Sequence, residues 1–119
     1  MTWNELYRAY EEAKKNIESL GYEIGPITEF RIHSRYRRAW GKCYCNIRKG
    51  TFRIGISDRL LNANPESVKD TIYHEVIHAI PYCFNHGPCF KSVAKKCNDK
   101  FGRHISRRTS EQEMMHGKK

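Results

Sequence analysis

Asn64-Pro65 opens a stretch that leaves the backbone little choice. Asparagine is a favoured N-cap and proline pre-sets the first helical φ, so a helix is predicted from about Pro65. Val68, Ile72, Val76 and Ala79 mark its apolar stripe, which ends near Pro81. Gly87-Pro88 repeats the start signal, and Phe90, Val93, Ala94, Cys97 and Phe101 follow at helical spacing as far as Gly102.

The chain before this helix pair carries two further patterns. Trp3, Leu6, Tyr7, Tyr10, Ala13, Ile17 and Leu20 recur with helical period and stop at Gly21. After Gly25-Pro26, the run ITEFRIHSRYRRAW mixes β-branched and aromatic residues with arginines and reads as a strand exposed on one face. CYCNI and TFRIGIS then flank Arg48-Lys49-Gly50 as a hairpin, with Phe52, Ile54 and Ile56 on its buried face. The expected fold class is α+β: an N-terminal helix, a small, mostly antiparallel sheet, the Pro65 helix and a C-terminal helix.

At 119 residues the chain is one domain's worth, read here as 1–110, with 111–119 a polar, mobile tail. No signal peptide or membrane-spanning run is evident, which points to a cytoplasmic protein. The five cysteines are odd in number and form no C-x-x-C pair, so a disulfide framework is not expected and small buried thiols are favoured. Lys and Arg total 22 against 13 acids, a formal charge of +9 that favours polyanionic partners without specifying sequence.

The Pro65 helix carries HEVIH at residues 74 to 78. Residues four apart lie on one helix face, so His74 and His78 can share a metal ion. Glu75 sits about 100° round the helix, placed to act as a general base on water. Asp70, one turn before His74, could orient an imidazole or compensate the helix N-terminus. A third ligand is needed for a catalytic zinc, and His86 lies beyond the Pro81 break, with Cys83 and Cys89 near enough in sequence to compete. Tyr44, Tyr82 and the arginines near Trp40 are candidates by type for stabilising an oxyanion.

HEVIHA followed by NHGPCFKSVAKKCN resembles the zinc-protease core of the SprT-like family, and RAWGKCYCN, FRIGISDRLLN and the Pro65 helix start are similar to its upstream order over residues 36–105. The resemblance implies a zincin-like minimal core with His74, His78 and His86 as ligands of one catalytic Zn2+ and Glu75 as base. It implies an endopeptidase acting on protein or peptide substrates, including proteins associated with or crosslinked to DNA, in the cytoplasm, at the nucleoid or in a nucleus. No C-terminal zinc ribbon of the kind carried by longer family members is evident. Arg35, Arg37, Arg38, Lys42, Arg48 and Lys49, interleaved with Tyr36, Trp40 and Tyr44, are the expected nucleic-acid contacts. The competing reading is a non-catalytic DNA-binding or adaptor domain that keeps the metal as structure. A monomer with no membrane association is expected in either case.

Overall fold

The computed structural model describes residues 1–36 and 39–106. In chain order it contains helix α1 (Trp3–Ser19), strands β1 (Ile27–His33), β2 (Gly41–Asn46) and β3 (Thr51–Ser57), a 3-10 turn (Asp58–Asn62), and helices α2 (Pro65–His78) and α3 (Pro88–Phe101). The α+β class is as expected. No helix among the described residues is long and apolar enough to cross a membrane.

Local chemistry sets the helix ends. Thr2 and Glu5 form a reciprocal capping box at the start of α1, each satisfying a backbone N–H of the other. Asn64 accepts from the Glu66 N–H, leaving Pro65 at a position where no amide hydrogen is needed. Helix α3 ends at Gly102, whose φ of +67° is the left-handed conformation glycine adopts without a steric penalty.

The strand order is β1-β3-β2, with β2 antiparallel to β3 and β1 parallel to it. The hairpin is as the sequence suggests, while the parallel pairing makes the sheet mixed. Alternation of side chains cannot distinguish these directions, because it is the same in both. The first strand also stops at His33, short of the run read from sequence, since the chain must then pass the C-terminal end of β3 to reach Gly41. Arg37 and Arg38, and the tail 111–119, lie outside the described residues.

Ile54 and Ile56 of β3 point into a core shared with Leu6, Ala13 and Ile17 of α1 and with Val68, Ile72 and Val76 of α2, while Phe52 is buried beside Gly25. Val93 and Cys97 of α3 close it. Helix α2 is central, and every residue from Asp70 to Ile80 is buried. Gly25 fixes how the sheet meets its C-terminal end: its N–H donates to the Ala79 carbonyl at 2.8 Å. A Cβ there would stand 2.5 Å from the Phe52 ring and 3.1 Å from that carbonyl oxygen.

Gly25→Ala is therefore expected to cost about 1–3 kcal/mol, the range for overpacking a closed site. Urea denaturation would read it, and a loss below about 0.5 kcal/mol would show that Phe52 moves aside freely.

Candidate metal centre

Two turns of α2 and the loop after it build one cluster. His74 and His78 are buried on the same face of α2, and His86 comes from the 81–87 loop. Their Nε2 atoms form a nearly equilateral triangle, with sides of 3.2 Å (His74 to His78), 3.1 Å (His78 to His86) and 3.1 Å (His86 to His74). Nitrogens held 2.0–2.1 Å from one tetrahedral ion stand about 3.3 Å apart, so the donors fit a zinc-sized cation.

The far side of the rings makes the same point. His74 Nδ1 lies 2.9 Å from the Ser106 carbonyl oxygen and His78 Nδ1 3.1 Å from that of Cys83. A carbonyl only accepts, so each Nδ1 carries the proton, and each neutral ring presents a bare Nε2 lone pair to the centre. Facing lone pairs repel unless a cation lies between them. Protonation is an expensive remedy, because burial, reinforced by the neighbouring His78, pushes His74 down to about 3. Burial likewise pushes His78 down to about 4.

Phe90 supports all three rings, its centroid 4.7 Å from His74, 4.9 Å from His78 and 5.0 Å from His86. It begins the apolar stripe of α3, so its core role was legible in the sequence and its contact with the whole cluster was not. The Ser106 and Cys83 carbonyls carry no sequence signal at all, since every residue has one.

Asp70 braces the segment that follows α3. Its Oδ1 accepts from the His104 backbone N–H at 3.1 Å and lies 3.4 Å from Arg103 Nη1. Asn98 holds Ile105 by both its N–H and its carbonyl, at 2.7 and 3.0 Å. Arg103 also pairs with Glu66. These interactions fix residues 103–106, and that segment delivers the Ser106 carbonyl to His74.

Glu75 faces β2. A Cβ on Gly41 would stand 3.0 Å from Glu75 Cγ and 3.2 Å from Oε2, so glycine lets the strand pass close to the carboxylate. Burial pushes Glu75 up to about 8. A cleft of about 290 Å³ joins these groups, walled by Gly41, Lys42, Cys43 and Tyr44 on one side and Phe84 and His86 on the other.

The other expected residues divide. Lys42 borders the cleft, and its ammonium lies over the Tyr36 ring at 5.0 Å, a ring that is not among the described residues lining the cleft. Arg48 and Lys49 line a separate groove with Arg53, and Arg35 is exposed after β1. Tyr82 is 94% exposed and lies outside the cleft wall, whereas Tyr44 belongs to it. Cys83 and Cys89, expected as free thiols or competing ligands, are instead joined as a disulfide with Cα atoms 5.1 Å apart. The loop return between α2 and α3 brings them together, a closeness that cysteine count and compartment could not reveal. Cys43, Cys45 and Cys97 are free, and only Cys97 is fully buried.

Fold and site together define an HExxH protein whose three clustered histidines could hold a metal ion. The chain belongs to the SprT-like family, whose sequence pattern matches residues 4–116, and that membership suggests a metalloprotease-like function. Comparison with curated proteins and with solved structures returns no match.

The Glu75 shift has a measurable sign. A carboxyl that holds its proton to about pH 8 when folded, against 4.5 as its ordinary value, stabilises the fold at low pH. That stability is lost as pH rises through this window. In chelator-stripped protein, the melting temperature of Glu75→Gln relative to wild type should therefore climb from pH 5 to pH 8. A difference that stays flat with pH would mean that Glu75 is hydrated when folded.

Proposed function

We propose that this chain is a zinc-dependent endopeptidase, and the observation that carries the reading is the convergence of three Nε2 atoms beside a buried glutamate on the same helix. A zinc ion held by His74, His78 and His86 would supply Lewis-acid polarisation of the scissile carbonyl and acidify water. Glu75 holds its proton to about pH 8 in the metal-free site, but a zinc ion beside it would favour the carboxylate. That carboxylate takes the proton from the attacking water and returns it to the leaving amine. The carbonyls of Cys83 and Ser106 keep the two α2 imidazoles in the Nδ1–H tautomer throughout.

Retention of Glu75 favours hydrolysis over a purely structural metal, because a closed structural site has no use for a base beside its ligands. Substrate placement follows from the sheet. Strand β2 is an edge strand, and Gly41 to Tyr44 border the cleft, so an extended peptide can pair with its free edge and lie across Glu75. Cys43 and Phe84 give the cleft apolar walls.

Nucleic acid as the setting for this chemistry is supported by the groove beside the hairpin. Arg48, Lys49 and Arg53 line a space of about 700 Å³ with no acidic residue among the described residues of its wall. Arg53 lies over the exposed Tyr44 ring at 5.1 Å. Cations along a backbone with an aromatic face for a base suit single-stranded DNA. Tyr44 walls both groove and cleft, which would set bound DNA next to the protein being cut.

Glu75→Gln should lower peptide cleavage at least about 100-fold with zinc content unchanged, as loss of a general base does. Cleavage at the wild-type rate would sink the mechanism. His86→Ala should lower zinc content by elemental analysis, and full retention would remove His86 from the ligand set. For the groove, replacing Arg48, Lys49 and Arg53 by Ala should weaken single-strand binding and make its log–log salt dependence shallower, by roughly 0.7 in slope for each phosphate no longer neutralised. An unchanged slope would place the DNA elsewhere.

A further inference from the structure

The Cys83–Cys89 bridge encloses the part of the chain that supplies the third imidazole. Cys83 contributes twice: its carbonyl accepts from His78 Nδ1 at 3.1 Å, and its sulfur is bonded to Cys89 in the first turn of α3. His86 lies midway between the two cysteines, which are six residues apart in sequence. Phe90, which supports all three rings, directly follows Cys89. One covalent bond therefore ties the carbonyl that orients His78 to the helix start that follows His86 and carries Phe90.

The loop's other contacts are mainly local: the Cys83 N–H donates to the Ile80 carbonyl at 2.9 Å, the Gly87 N–H donates to Asn85 Oδ1 at 3.0 Å, and the Phe84 ring lies 6.0 Å from that of His78. Tyr82 is a non-glycine residue at φ +74° and is 94% exposed, and Phe84 is 48% exposed. Little apolar burial offsets the entropy of ordering such a segment, so its conformation depends on covalent closure. We infer that the Cys83–Cys89 bridge positions His86 and His78 for the metal, so that its redox state controls how long the site retains zinc.

The inference rests on the three-histidine zinc reading and adds regulation to it. With the bridge open, the loop offers His86 in the binding geometry for only part of the time, and apparent affinity falls by that fraction. The chemistry is thiol–disulfide exchange with a dithiol. A dithiol thiolate attacks one bridge sulfur, and the resulting mixed disulfide is resolved by the second thiol. The dithiol is oxidised to its cyclic disulfide, while Cys83 and Cys89 gain the two electrons and two protons as thiols.

The test uses the full chain, loaded with zinc alone, and follows zinc release to a chromogenic chelator. Oxidised protein is compared with protein reduced by dithiothreitol, which is then removed under argon because it binds zinc itself. Reduction should speed release about tenfold or more, the scale on which groups supporting metal ligands act. Cys83→Ala/Cys89→Ala should release at the reduced rate and ignore the dithiol. In His86→Ala the effect of reduction should shrink to under about threefold, because bridge and imidazole act as one coupled unit.

Equal release from oxidised and reduced wild type would overturn the inference while leaving the zinc site intact. Slower release after reduction, abolished in the double variant, would also overturn it by showing the thiolates to be ligands. Loss of the helical circular dichroism signal on reduction would overturn it by making the bridge a requirement of the fold. If the double variant fails to fold, the reduced wild type decides the matter alone. Failure of the oxidised wild type to take up any zinc would refute the three-histidine reading, and this inference with it.

Discussion

Burying two imidazoles and a carboxylate on the central helix is the constraint around which the remaining structure is arranged. Helix α2 and the turn that ends it are buried from Asp70 to Ile80, with only the cleft reaching His74, Glu75 and His78. Such groups are costly to bury unless each polar atom finds a partner. The partners come from outside the helix, one of them close in sequence and the others distant. The loop after α2 supplies Cys83, the segment after α3 supplies Ser106, and β2 supplies the space beside Gly41.

This need explains features that would otherwise look unrelated. Asp70, Asn98 and Arg103 serve the imidazoles through the backbone, holding residues 103–106 at the height where a carbonyl can meet His74. Gly25 caps the end of α2 and brings Phe52 against it, while Gly41 clears the path of the strand past Glu75. Packing and chemistry are thus served by the same residues, and a substitution at either glycine would be felt as both.

Much of this was legible in the sequence where local rules apply. The capped starts at Pro65 and Pro88, the stop at Gly102 and the alternation of Phe52, Ile54 and Ile56 act through neighbours in the chain, and the structure follows them. HEVIH and the His86 that follows a helix break were likewise visible, because a metal site is written in residue types. The parallel pairing of β1, the Cys83–Cys89 bridge and the carbonyls behind the imidazoles were not visible. Each depends on how the chain turns back or where separate segments meet, and a backbone carbonyl or a strand direction has no residue type to announce it. Asp70 shows the boundary well: its nearness to His74 was apparent, but its action through His104 required the path of the chain after α3.

That path has a chemical consequence. Ser106 is held between the helix that contains Asp70 and the imidazole of His74, with Ile105 buried alongside. Displacing Ser106 would take from His74 Nδ1 the acceptor that keeps the ring in its tautomer, so the segment after α3 reaches the centre through one backbone carbonyl.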